Sequence, residues 1–510
     1  MAICFAITLS NCVSVVRGET PVPPTQPPQQ LSQLQIEQLT LEGDRFADQG
    51  EYQQAVEKYT EAYMSVVAQL RGKPFKEMVK PKLMNRVELA KEMTEQFKVE
   101  LTPAELRLME ATYKVFGLAP ESLDIEKTMI QLYTEEVGGF YDPRTKAMVL
   151  IHDNPSEEDQ EKLQGKSRGI FSWFSKPDST FDKDEQKTTL AHELTHALQD
   201  QLYDLESQTK LISHDDDMAL AYSSLVEGDA TLVMFVDMGR GDGTSDELLQ
   251  MDPKVAEAMF GMLKLTLPIA SGSTYRTAPK IFRESLLFPY MNGMAFSMHL
   301  TQRDRFREID RAFVSPPVST EQIMHPEKFL FQPDLPVTVN IPKAESLLGD
   351  AWTHLGGNCM GEFQTAIMLS DVDVQRKAAA GWDGDRYEVY ELKNNDGSKQ
   401  DDAQMNRAMV WASVWDSDAD AKEFAATYQK YVERKIRQQN ESTRDDAEST
   451  AGNADENQWQ LSVQRLDNRV VLVQGLDSNL AASVIDMARL FTTQEKTFPT
   501  KKTEESDKAK

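Results

Sequence analysis

Cysteine is nearly missing from this chain: only Cys4, Cys12 and Cys359 occur in 510 residues. If the N-terminal leader discussed below is removed, one thiol remains. That excludes an intramolecular disulfide and a zinc site built from thiolates. Histidine is scarce as well, with seven copies, so two close together carry information. Basic residues are outnumbered, 55 Lys and Arg against 82 Asp and Glu, for a formal net charge of −27. This balance argues against nucleic acid and against anionic membrane surfaces as partners. The uncharged apolar run at the N-terminus, Met1 to Val16, is too short to span a bilayer comfortably.

That run has the character of the apolar region of a secretory signal peptide without its basic start. The Pro-rich TPVPPTQPPQQ follows as a solvated linker. The expectation is a signal peptide over 1–18, a linker over 19–30, and a secreted or periplasmic address. Membrane proximity would come through that leader; Cys12 in Leu-Ser-Asn-Cys is weakly similar to a lipoprotein attachment site, with Asn11 a poor fit.

What is present is concentrated in Thr188 to Asp200, TTLAHELTHALQD. Leu190, Ala191, Leu194, Ala197, Leu198 and Leu202 recur at helical intervals without Gly or Pro. On a helix His192 and His196 share a face and can offer two imidazole nitrogens to one metal. Glu193, rotated by somewhat more than a quarter turn, is poorly aimed at the metal but well placed for a water beside it. Two neutral His, an open position and a carboxylate base are what a zinc hydrolase needs. A metzincin extension would need Gly at 199 and His at 202; Gln199 and Leu202 exclude it. His214 and Glu227 are the candidates for a third ligand. His214 lies in the polar run SHDDD, which reads as a helix start capped by Ser213 or an Asp. Glu227 lies in an otherwise apolar helical run, where a carboxylate is costly unless paired or on a metal. Gly228 beside it permits close helix approach.

H-E-x-x-H followed by Glu on a second helix resembles the gluzincin zinc metallopeptidases of the thermolysin-like superfamily. The resemblance covers about Gly138 to Gly239. It implies that His192, His196 and Glu227 bind Zn2+ and that Glu193 is the general base in hydrolysis of a peptide or protein substrate. It also implies that a strand just before the zinc helix lines the cleft; Ala147 to Ile151, after the turn Asp142-Pro143-Arg144-Thr145, reads as a strand of such a hairpin. One position departs from the pattern: Thr231 stands four residues after Glu227, where that group has Asp. Asp229 points elsewhere on a helix, and Asp200, four residues after His196, is an alternative orienter of a ligand imidazole.

Downstream, about Pro279 to Phe329 is similar to the region following the zinc helices in bacterial members of the superfamily. An oxyanion needs a donor besides the metal, and His325, Tyr290 and Tyr275 are the candidates. Ser319 with Gln322 caps a short helix that Pro326 ends, holding His325 at a Pro-bounded corner. Tyr290 follows Pro289 and precedes a helix from Gly293 to Leu300. Phe171-Ser-Trp-Phe174 is an aromatic island in a polar loop.

Leu31 to Leu70 reads as a helical hairpin whose small and aromatic residues resemble one tetratricopeptide repeat unit. One unit cannot bury its own core, so it is either a peptide-binding module or a pair packed onto the rest. From Lys343 the pattern alternates: a Gly turn and a strand within Ala378 to Leu392, a strand at Ala408 to Trp415, a helix over Asp416 to Lys435, a hairpin around Leu466-Asp-Asn468, and a helix over Leu480 to Phe491. Gln438 to Gln458 reads as a mobile acidic insertion.

The expected fold class is therefore α+β: a mainly helical zincin-like catalytic domain with a small antiparallel sheet, followed by a smaller α+β domain. The expected boundaries are 31–100 for the hairpin unit, 101–342 for the catalytic domain, 343–496 for the C-terminal domain and 497–510 for a disordered tail. The functional expectation is an exported zinc-dependent endopeptidase. The alternative is a non-catalytic zinc-binding regulatory or scaffold protein that uses the N-terminal repeat. Oligomeric state is not specified by the sequence.

Overall fold

The computed structural model describes residues 27–136, 138–143, 145–152, 181–258, 261, 273–331, 333–393, 407–445 and 459–500. The leader, most of the linker and the aromatic island lie outside the described residues.

The chain opens on the hairpin α1 (Gln33–Asp48) and α2 (Tyr52–Arg71). Ser32 and Gln35 form a capping box at its start, and Gly72 in the left-handed region (φ 65°) closes it. α2 lies against the His192 helix, and the two share one apolar cluster with most of the helical body. The hairpin is thus packed into the main core. The segment after it contains β1 (Lys80–Met84) before α3 (Arg86–Glu100) and α4 (Pro103–Val115). Thr102 and Glu105 form a capping box, with Pro103 in the first turn.

After α5 (Ile125–Glu136) come β2 (Gly139–Asp142) and β3 (Ala147–Ile151). The three strands form one sheet in the order β1-β3-β2. β2 is antiparallel to β3, but β1 pairs with β3 in parallel, Lys80 opposite Ala147. The small sheet is therefore mixed rather than antiparallel. Its antiparallel half was legible in a turn; the parallel strand sits 67 residues away by register and has no local signal.

The body is built from α6 (Lys183–Tyr203), α7 (Leu205–Ile212), α8 (Asp216–Met238) and α9 (Lys280–Asp304). α9 begins at Lys280, so Pro289 lies inside a continuous helix rather than ahead of one. α10 (Phe306–Val314) and α11 (Thr320–Met324) follow, α11 with Ser319 as its cap.

α8 and α9 pack through glycine. A β-carbon on Gly228 would stand 2.1 Å from the Gly293 backbone, and one on Gly293 would stand 2.1 Å from the Ser224 carbonyl oxygen. Only backbone against backbone fits there.

The C-terminal part carries β4 (Val337–Asn340), β5 (Trp352–Asn358), α12 (Gly361–Leu369), β6 (Trp382–Leu392), β7 (Arg407–Trp415), α13 (Asp418–Asp445), β8 (Leu461–Leu466), β9 (Arg469–Gln474), α14 (Ser478–Ala488) and β10 (Thr492–Glu495). Five strands form an antiparallel sheet in the order β5-β6-β7-β9-β8, and β10 pairs with β4. β7 is buried along its whole length, and its side chains alternate between two cores. Met409, Trp411 and Trp415 face α13 with Phe424 and Tyr428; Ala408, Val410 and Val414 face α14 with Val484 and Ile485. The chain is α+β, as its patterning predicts. α13 runs on to Asp445, so the first residues of the acidic insertion are helical. Phe498, placed by sequence in a disordered tail, packs onto the body, its ring 5.6 Å from that of Tyr222.

Gly293→Ala is expected to destabilise the protein by about 1–3 kcal/mol through forced separation of α8 and α9. Gly241→Ala, where a β-carbon meets nothing within 4 Å, is expected to stay within about 0.5 kcal/mol of wild type. Urea unfolding of the two variants checks this, and equal midpoints would refute the close-packing account.

Candidate metal centre

α6 is buried from Thr189 to Asp200, so its polar residues must find partners inside the protein. Asp182 caps its start by accepting from the Asp184 and Glu185 N–H groups. α8 is buried nearly throughout and runs alongside. Where the two helices face, His192, His196 and Glu227 meet, exposed by only 2%, 2% and 5%. His192 Nε2 is 3.0 Å from His196 Nε2, and Glu227 Oε2 lies 3.1 Å from the first and 3.2 Å from the second. Ligand atoms around a tetrahedral zinc stand about 3.3 Å apart. The triad is close to that spacing, slightly contracted.

The far side of each imidazole decides what the near side offers. Gln199 Nε2 donates to the Val226 carbonyl at 3.0 Å and to Asp229 Oδ2 at 2.9 Å. Its amide oxygen therefore faces His196 Nδ1, 2.9 Å away, and must accept. On the other ring, the Ala230 backbone favours the protonated form of His192. A proton held on His196 Nδ1 leaves the Nε2 lone pair of that ring aimed at the Glu227 carboxylate, with His192 Nε2 beside it. Three electron-pair donors converging in a dry site fit a divalent cation of the zinc type.

Without a metal, the charges adjust around a proton. Burial works to lower His196, but the Glu227 carboxylate outweighs it and raises the ring to about 9. His192 is lowered, chiefly by burial. Burial pushes Glu227 upward, yet His196 and His192 hold it down to about 2.

Glu193 lies beside the triad, 4% exposed. A backbone hydrogen bond from Tyr141 on β2 reaches its carboxylate, and among the described residues its Oε2 has no hydrogen-bond partner. Burial raises it to about 7, a value suited to a group that takes and returns a proton near neutrality. It is β2, at the edge of the sheet, that touches Glu193, while β3 is central.

Tyr290 reaches the site from α9. Its ring centre is 6.0 Å from that of His192, with the planes 28° apart. Burial raises its hydroxyl well above the usual range, and Glu227 and Glu193 raise it further, so it stays a donor.

The other sequence candidates lie elsewhere. His325 Nε2 is 3.0 Å from Glu362 Oε1 on α12, and its backbone closes α11. No contact among the described residues joins it to the triad; the Pro-bounded corner serves the helix stop. Tyr275 packs in the apolar core near Arg283. His214 is exposed. Asp200 does not orient an imidazole: it accepts from the Tyr141 hydroxyl, Lys146 Nζ and the Leu205 N–H. That role falls to Gln199, and Asp229 reaches His196 through it. Gln199 could have been suspected from its place three residues after His196, on the same helix face.

One protein-family profile matches the chain, a domain of unknown function (DUF8575), over residues 353–485. This is the five-stranded sheet with α12, α13 and most of α14, and it does not include the triad. No curated protein and no solved structure matches the chain.

The Glu193 carboxyl holds its proton more tightly in the folded state, about 7 against 4.5 when unperturbed. Metal-free protein should therefore lose stability as pH rises from about 4.5 to about 7, by up to roughly 3 kcal/mol. Glu193→Gln removes that loss. In chelator it is expected to melt above wild type at pH 8 and level with it near pH 4.5; a gap independent of pH would contradict the buried carboxylate.

Proposed function

We propose that this protein is an exported zinc-dependent endopeptidase. The observation that carries the reading is the convergence of His192 Nε2, His196 Nε2 and Glu227 within 3.2 Å, with His196 Nδ1 directed to the Gln199 amide oxygen. The described residues also include two other acidic groupings of ligand type, Asp215–Asp217–Cys359 and Glu321–Asp334–Asp416. Both already hold a cation: Lys496 contacts Asp215 and Asp217, and Lys328 contacts Glu321, Asp334 and Asp416. Only the His192 group supplies neutral nitrogen donors and a single carboxylate, the mixture that suits zinc. The leader-like residues 1–18 support the exported address.

When bound, Zn2+ supplies Lewis acidity toward an amide carbonyl and makes water easier to deprotonate. Glu193 takes the water's proton on its unpartnered oxygen and passes it to the leaving amine. Tyr290, kept protonated beside two carboxylates, donates to the oxygen that gains charge. β2 offers a strand edge beside Glu193 along which an extended peptide pairs by main-chain hydrogen bonds, so recognition depends little on substrate sequence.

Metal analysis and casein hydrolysis by the purified protein test this. One zinc per chain and chelator-sensitive hydrolysis are expected. Glu193→Gln should keep the zinc and lose activity. Glu227→Ala should lower zinc content, whereas His214→Ala should not. Tyr290→Phe should lower kcat on the order of 100-fold with little change in KM, and His325→Ala should remain active per folded molecule. A wild-type protein that holds zinc but leaves casein and unfolded chains intact would sink the hydrolase reading and leave a zinc-binding regulator.

A further inference from the structure

Arg71 is the last residue of α2, at the end of the N-terminal hairpin, and its side chain is 1% exposed. Such a group needs a compelling set of partners. Its Nε lies 3.2 Å from Asp229 Oδ1, its Nη2 3.0 Å from Asp310 Oδ1, and its guanidinium stands 4.8 Å over the Phe306 ring. Asp229 is two residues beyond Glu227 on α8, and its other oxygen accepts from Gln199 Nε2 at 2.9 Å. Gln199 in turn accepts from His196 Nδ1.

We propose that Arg71, Asp229 and Gln199 are a positioning relay through which the N-terminal hairpin fixes the orientation and tautomer of His196. The proposal rests on the zinc reading above and names what holds that site in shape. A guanidinium only donates, so it requires acceptors of Asp229. Asp229, with acceptors on both sides, requires the amide nitrogen of Gln199. The amide oxygen is then left for His196, whose proton is drawn to Nδ1 and whose Nε2 lone pair faces the metal position. The Val226 carbonyl, which also accepts from Gln199 Nε2 at 3.0 Å, holds the amide in the same sense, and the Arg71–Asp229 ion pair reinforces it. The hairpin is accordingly part of the metal centre and not a detachable recognition module, despite its repeat-like sequence.

The test uses the full chain, with Zn2+ affinity by chelator competition, the Co2+ visible spectrum and the metal-free melting midpoint. Arg71→Met alone buries an uncompensated Asp229 and is expected to fold poorly. The double variant Arg71→Met/Asp229→Asn is neutral and of similar size, and it leaves the Val226 carbonyl alone to hold the Gln199 amide. It is expected to melt close to wild type, to bind Zn2+ about 10- to 100-fold more weakly, and to show an altered Co2+ spectrum. Arg71→Lys still only donates and should recover most of the affinity. A double variant with wild-type affinity and spectrum overturns the relay. So does a parallel loss of affinity and metal-free stability that Arg71→Lys fails to restore, which would reduce Arg71 to packing. Wild-type protein that takes up neither Zn2+ nor Co2+ would instead remove the zinc reading itself.

Discussion

A carboxylate facing two imidazole nitrogens, with almost no water, is an arrangement that the surrounding helices must hold against its own tendency to relax. The distances tolerate little drift, and they are set by how closely α6, α8 and α9 approach. The glycine contact between α8 and α9 is the tightest of these approaches. Glu227 is the neighbour of Gly228, and Tyr290 lies three residues before Gly293, on the same side of its helix. Pulling the two backbones together at the glycines therefore also brings the Tyr290 ring beside His192 and the Glu227 carboxylate. Packing and chemistry share one contact.

α8 is the helix on which the charges collect. By length and apolarity it would suit a membrane span, yet almost all of it is buried inside the protein. Acidic groups at its head and along its length are answered from separate regions of the chain. Asp215 and Asp217 meet Lys496 after β10; Asp217 also accepts from Thr320 on α11. Glu227 meets the two His of α6, and Asp229 meets Arg71 of α2. A buried charge left alone is destabilising by several kcal/mol, so these pairings make the hairpin, the zinc-type helix and the C-terminal strand mutually dependent. The DUF8575 region adds a further tie, with Asn358 Oδ1 accepting the Asp216 N–H at 2.9 Å.

The legible part of the site was local. His192, Glu193 and His196 share one turn and a half of helix, and their spacing carries its meaning without knowledge of the fold. Glu227 was legible by contrast, a carboxylate in an apolar run. Capping residues at Ser32, Thr102 and Ser319 are similarly local, since the cap and its partner lie within four residues. What the sequence concealed is long-range. Arg71 stands 158 positions before Asp229, at the end of a hairpin whose repeat-like pattern drew attention to its surface. β1 is only five residues, too short a run to stand out beside the helices around it, and pairs in parallel with β3. His325 misled for the opposite reason: a rigid Pro-bounded corner is a local property, and rigidity alone does not say which neighbour the ring will find. Glu362 was that neighbour.

The ion pair of Lys496 with Asp215 and Asp217 has a consequence for biosynthesis. Ribosomes deliver α8 long before they deliver β10, and domains settle in the order they emerge. A nascent chain that has already assembled the helical body still carries two carboxylates without a counter-charge at the head of α8, hydrogen-bonded to the Met218 N–H and Thr320. Only after the five-stranded sheet has been made does the lysine arrive that neutralises them. The junction between the two halves is therefore closed last, by translation order, and the assembled body waits through the synthesis of the sheet domain with its seam unlocked.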